Sequence, residues 1–136
     1  MAVALQLRED HIPVGNRYVP APIEQVEGML IRVAKKGDRH VDLGCGEGFV
    51  VAAGLALGLD SHGCEIQDLL FNAAASKFPG RVSLLNWKSV NLSVYDLVTV
   101  YCSEESGAYL LEKARREMRS GSRFVTFYGF PKFEVI

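Results

Sequence analysis

The sequence predicts a single α/β domain: an open, mostly parallel twisted sheet with helices on both faces. From residue 38 onward, short β-rich runs alternate with longer helical ones, the pattern of repeated strand–helix–strand units. The run from Asp96 to Tyr101 shows no polar alternation, as expected of a central strand covered on both faces. A glycine loop, Gly44 to Gly48, stands between a strand and a helix, where open parallel sheets place their ligand crevice.

Pro20 and Pro22 bracket an extended entry, after which Ile23, Val26, Met29, Leu30 and Val33 recur at helical spacing and give one apolar face. This helix is expected to end near Lys36-Gly37. Arg39 to Leu43 reads as the first strand, and Phe49 to Leu59 as a helix apolar nearly all round, hence packed on a sheet. Gly63 to Ile66 is the second strand, Asp68 to Lys77 a helix, Pro79-Gly80 a turn, and Arg81 to Leu85 a third strand. Asp96 to Tyr101 is the fourth. Ser106 to Arg119 is an amphipathic helix with Tyr109, Leu110, Ala114 and Met118 inward and Glu112, Arg115, Arg116 and Arg119 on a solvated face. Ser120-Gly121-Ser122 turns into a fifth strand, Arg123 to Tyr128, followed by Gly129-Phe130-Pro131. Residues 1–17 are expected to form an N-terminal segment ahead of one domain over residues 18–136.

With 136 residues, 49% hydrophobic and 23% charged, the chain can bury a core without a disulfide or metal staple. Fifteen basic against sixteen acidic residues supply no field to gather nucleic acid or an anionic membrane, so neither is expected as a partner. Cys45, Cys64 and Cys102 form no CxxC pair and have no neighbouring His cluster, which excludes zinc spacing and fits a reducing, cytoplasmic compartment. The longest strongly apolar stretch, Phe49 to Leu59, has eleven residues, where a bilayer span needs about twenty.

The chemistry concentrates in Val41-Asp42-Leu43-Gly44-Cys45-Gly46-Glu47-Gly48. Glycines at 44, 46 and 48 allow a tight turn with positive φ and bring a ligand close to bare backbone at a helix N-terminus. Glu65 ends the second strand 21 residues after Gly44, about the interval at which an acid reaches two ribose hydroxyls. The spacing is GxGxG with Phe49 next, so the dinucleotide fingerprint fails, and no Lys-Ser or Lys-Thr completes a Walker loop. Asp42 can orient the loop or, through water, meet a ligand ammonium; an anion site would not want it there.

On these residues the sequence resembles the class I S-adenosylmethionine-dependent methyltransferases, whose first motif is an acidic residue followed by GxGxG. That resemblance implies a Rossmann-like fold and S-adenosyl-L-methionine as cofactor. It sets Asp42 and the backbone of Gly44, Cys45, Gly46 and Gly48 against the methionine part, and Glu65 on the ribose with Ile66 beside it. Asn86 falls where the family places an acid or amide on the adenine amine. Its neighbour Trp87 either stacks on adenine or caps the core. Tyr18-Val19-Pro20-Ala21-Pro22, the glycine loop, Arg123-Phe124-Val125-Thr126 and Phe130-Pro131 look like the small archaeal protein-lysine methyltransferases and the related ATP-synthase c-subunit lysine methyltransferases. By that resemblance Tyr18 closes over the cofactor, or else anchors on the first helix, and Tyr101 borders the transferred methyl as the catalytic residue.

Methyl transfer from a sulfonium is an in-line displacement that asks the protein for alignment and exclusion of water. A lysine acceptor must first lose its proton, which an apolar mouth of Tyr101, Phe130 and Phe133 would favour. His11, His40 and His62 are poor bases by position, and Cys102 and Ser103 line the pocket without a partner base. The Asn/Asp-Pro-Pro-Tyr tetrapeptide of amide and adenine-amine methyltransferases is replaced by Tyr101-Cys102-Ser103-Glu104, which leaves a lysine of a protein substrate or a small molecule. The C-terminal antiparallel strand pair of the common fold reads as truncated, so a second copy or a partner is expected to cover that edge. A small-molecule methyltransferase and a non-catalytic cofactor-binding subunit remain open alternatives.

Overall fold

A computed structural model describes residues 22–128 and 130–136; Tyr18 and residues 1–17 lie outside these, as does the side chain of Phe130. The chain runs α1 (Ile23–Val33), β1 (Arg39–Leu43), α2 (Phe49–Ala56), β2 (Asp60–Glu65), α3 (Asp68–Lys77), β3 (Val82–Leu84), β4 (Leu97–Tyr101), α4 (Glu104–Glu117), β5 (Arg123–Tyr128) and β6 (Phe130–Val135). Two short 3-10 turns, Trp87–Ser89 and Leu92–Val94, lie between β3 and β4. The strands form one sheet in the order β3-β2-β1-β4-β5-β6. All neighbours are parallel except β5 and β6.

Sheet order reverses direction between β1 and β4, so the crevice at their carboxyl ends is the switch point at which such sheets bind ligands. Helices α1 and α2 cover one face: Val26, Met29, Leu30 and Val33 pack with Val50, Ala53, Leu97, Val125 and Phe127. Helix α4 covers the other, where Leu110, Ala114 and Met118 meet Val41, Leu43, Val98, Val100 and Phe124. Leu30, Leu43, Leu97 and Leu110 are fully buried, and truncating any of them to Ala costs about 2–5 kcal/mol.

Several boundaries differ from the expected ones for local reasons. Helix α2 stops at Ala56 rather than Leu59 because Gly58 adopts φ 81° and Leu59 N–H returns to the Gly54 carbonyl, a left-handed glycine stop. Strand β2 begins at Asp60, since Asp60, Ser61 and His62 pair with Arg39, His40 and Val41, and it ends before Ile66. Helix α4 starts two residues early because the Ser103 hydroxyl caps it by accepting the Ser106 N–H at 3.2 Å. Tyr109 is 46% exposed rather than inward. Gly107 is buried in that first part of the helix, where a Cβ would stand 3.3 Å from Thr126.

The C-terminal side is also more complete than expected. Phe130–Val135 is a full strand, antiparallel to β5 with Phe127 opposite Pro131. An edge strand tolerates the missing N–H of Pro131. No helix among the described residues is long and apolar enough to cross a membrane.

Candidate functional site

The loop after β1 is built by its glycines. Gly44, Gly46 and Gly48 have φ values of 70°, 57° and 96°, as the sequence expects. At Gly48, which caps α2, a Cβ would lie 2.8 Å from the Phe78 ring, so the position excludes a side chain on two counts. The loop amides turn inward: Cys45 N–H donates to the Cys64 carbonyl and Gly48 N–H to the Cys45 carbonyl. Gly46 N–H donates to Glu65 Oε1 at 2.8 Å. A loop that gives its amides to the protein's own oxygens is a poor cradle for phosphate, in agreement with the failed nucleotide motifs.

Two carboxylates stand beside it, Asp42 at 4% and Glu65 at 7% exposure. Glu65 Oε2 accepts the Ile66 and Gln67 N–H groups, each at 3.0 Å, while Oε1 takes Gly46. Its carboxylate therefore fastens the glycine loop to the β2–α3 turn. One of about four acceptor positions stays open, on Oε1, so the two-hydroxyl grip expected of Glu65 requires Gly46 to yield.

Asp42 faces the α2 side of the sheet, where Thr99 donates to its Oδ1 at 2.7 Å. Burial pushes the Asp42 carboxyl up to about 7; the nearby Glu65 adds to the rise and the Thr99 bond opposes it. Thr99 is itself 2.9 Å from His40 Nε2, and His40 Nδ1 is 2.8 Å from Ser61 Oγ. All three side chains are fully buried. Burial, with His62 nearby, lowers the His40 imidazole to about 3, so it is neutral. A Ser–His contact suggests a nucleophile, but this one lies beneath α2, where a Cβ on Gly54 would sit 2.0 Å from Ser61 Oγ, and substrate has no access.

The remaining expected site residues divide. Asn86 is exposed, and its Oδ1 accepts the Lys88 N–H at 2.8 Å, capping a 3-10 turn. Trp87 is half-buried against the α4-side core, within 3.9 Å of where a Gly44 Cβ would stand; it does cap the core, and its ring also flanks the loop. Ile66 is 60% exposed beyond Glu65. Tyr101 ends β4 at the switch point and packs on the α1-side core. Phe133 is not brought beside it. Tyr101 pairs with Phe127, whereas Phe133 pairs with Val125, two strands over and one pleat down. Cys102 is half-buried, and burial raises its thiol to about 11, which makes it a poor nucleophile. His62 sits on Asp60 at 3.0 Å, away from the crevice. Among the described residues no His, Cys, Asp and Glu cluster can hold a metal.

Thr99, Ser61 and the linking role of His40 were not expected from the sequence. The available signal was Thr99 itself, a polar residue in an otherwise apolar central strand, which must find a partner.

No protein-family model matches the sequence, and no curated protein matches it. Solved structures do. One is an RNA methyltransferase from Salinibacter ruber in complex with S-adenosyl-L-homocysteine, at 24% identity and TM-score 0.72, covering 79% of this chain and 76% of that one. Another is geranyl diphosphate C-methyltransferase from Streptomyces coelicolor A3(2), at 20% identity and TM-score 0.63, covering 76% and 42%. A third is magnesium protoporphyrin IX methyltransferase from Synechocystis PCC 6803 with bound S-adenosylmethionine, at 20% identity and TM-score 0.59, covering 76% and 55%. The chain thus spans about half the length of the latter two. The fold is that of the class I S-adenosylmethionine-dependent methyltransferases.

Proposed function

We propose that this protein is an S-adenosyl-L-methionine-dependent methyltransferase. The observation that carries the proposal is the pairing of two buried carboxylates, Asp42 and Glu65, with a glycine loop whose amides turn inward, at the switch point of a sheet with this fold. That donor set suits a ligand with an ammonium and sugar hydroxyls and repels a phosphate. The neighbours' bound S-adenosyl ligands support the same choice.

In this assignment Asp42 receives the ammonium, Glu65 Oε1 the ribose, and Ile66, Asn86 and Trp87 border the base. S-adenosylmethionine supplies an electrophilic methyl on a sulfonium. The protein's part is to hold the acceptor in line and keep water out, which falls to Tyr101 at the end of β4. Among the described residues, the two buried carboxylates are assigned to the cofactor, His40 is locked under α2, and Cys102 is held protonated, which leaves no buried base for the acceptor. The acceptor must therefore arrive as a nucleophile or lose its proton to water.

For the acceptor we infer a protein lysine. The inference rests on the resemblance carried by Tyr18 to Pro22, the glycine loop, Arg123-Phe124-Val125-Thr126 and Phe130-Pro131, and on Tyr101-Cys102-Ser103-Glu104 in place of the amide-methylating tetrapeptide.

Titration of S-adenosylhomocysteine followed by the emission of Trp87, the only tryptophan, is expected to saturate in the micromolar range and to vanish in Gly46→Arg. Failure of the intact protein to bind would overturn the assignment. Radiolabelled methyl donor with a cell lysate tests the acceptor, and label on a small molecule instead of a protein band would refute the lysine reading.

A further inference from the structure

We propose that Ser61, His40 and Thr99 are positioning residues, a buried relay that aims Asp42 at the ammonium of the cofactor's amino-acid tail. This rests on the cofactor assignment above. An ionised carboxylate has no proton to give, so the Thr99 hydroxyl donates to Asp42 Oδ1. The Thr99 oxygen then accepts from His40 Nε2–H at 2.9 Å, which leaves His40 Nδ1 as an acceptor for Ser61 Oγ–H at 2.8 Å. Every donor in the chain points the same way, from Ser61 to Asp42.

The backbone builds this alignment. His40, Asp42, Ser61 and Thr99 lie on one sheet face, where the parallel register sets His40 opposite Ser61 and Asp42 opposite Thr99. Gly54 lets α2 close over them without a side chain in the way. Thr99 takes one carboxylate oxygen and fixes its plane, and the ammonium is assigned to the other.

Few other charges act on the relay. Helix α2 carries none, and the buried side of α1 is apolar. Glu65, together with the Cys45 and Cys64 thiols, neighbours Asp42; His62 and Asp38 neighbour His40. Because His40 stays neutral, affinity for an ammonium-bearing ligand is expected to follow Asp42 alone, strengthening as pH rises through about 7.

The test compares two probes that share the adenosyl thioether: S-adenosylhomocysteine, which carries the amino-acid tail, and methylthioadenosine, which lacks it. Thr99→Val is expected to weaken S-adenosylhomocysteine about ten- to a hundredfold, to move its pH dependence upward, and to leave methylthioadenosine unchanged; Thr99→Ser restores both. Should Thr99→Val fail to fold, Ser61→Ala, at the far end of the relay, is expected to weaken S-adenosylhomocysteine severalfold with methylthioadenosine unchanged. An unchanged ratio of the two affinities in the folded variants, or equal loss of both probes, overturns the relay while leaving the cofactor assignment standing. Binding of neither probe by the unaltered protein overturns that assignment instead.

Discussion

Glu65 Oε1 accepts the N–H of Gly46 at 2.8 Å, so a side chain at the end of β2 holds the loop that follows β1. This bond makes Glu65 structural before any ligand arrives. Glu65→Gln places an amide where three N–H groups now find acceptors, and is expected to cost about 1–3 kcal/mol of stability. Urea denaturation checks the cost, and titration with S-adenosylhomocysteine should show binding lost in parallel. Intact stability with lost binding would assign Glu65 to the ligand alone.

Gly48→Ala is expected to destabilise by about 1–3 kcal/mol. The residue has φ 96°, and its new methyl would meet the Phe78 ring at 2.8 Å. The double variant Gly48→Ala with Phe78→Leu removes the clash but not the strain, so a thermal melt should show partial recovery.

Asp42 and His40 predict offsetting pH slopes. Folded Asp42 keeps its proton up to about 7 against an ordinary 3.8, so the stability it contributes is lost as pH rises between these values. Folded His40 stays neutral down to about 3 against an ordinary 6.5, so its contribution is lost as pH falls. Between about 4 and 6.5 the native chain holds a proton on Asp42 while the unfolded chain holds one on His40, and the slopes cancel. Stability measured at several pH values should fall with pH in His40→Asn and rise with pH in Asp42→Asn. Slopes of the same sign in both variants would contradict the assignment.

Arg123 and Asp38 form a bidentate buried pair at 2.7 and 3.1 Å, with Arg123 also donating to the Val33 carbonyl at the end of α1. Burial opposes ionisation of Asp38, but Arg123 and the Lys35 N–H hold its carboxyl below the ordinary range. Arg123→Met strands that charge and is expected to cost about 3–5 kcal/mol, much of it recovered by adding Asp38→Leu. Chemical denaturation of the single and double variants measures both.

Much of this architecture was legible because its signals are local. Glycines 44, 46 and 48 announce a loop that only positive φ can build, and the apolar spacing of Ile23 to Val33 marks a helix, which stops at Val33, short of the expected end near Lys36-Gly37, with Ala34 extended as its C-cap. What stayed hidden depends on distant pairing. Thr99 acquires its role only once β1 and β4 are set in register, and Gly107 faces inward only because α4 approaches Thr126. Strand β6, in a stretch where the C-terminal strand pair was expected to be truncated, shows itself only through its antiparallel pairing with β5, along which Phe130, Lys132 and Glu134 alternate with Pro131, Phe133 and Val135. Phe133 departs from the expected aromatic mouth for the same reason, since it falls on a different rung from Tyr101.

Pro131 also decides how the outer rim beside β5 can be used. An approaching extended peptide would meet a gap in the row of donors there, flanked by the charged ends of Lys132 and Glu134. Among the described residues, strand addition along this border is thereby weakened, and a visitor there gains less from main-chain pairing than from side-chain contacts.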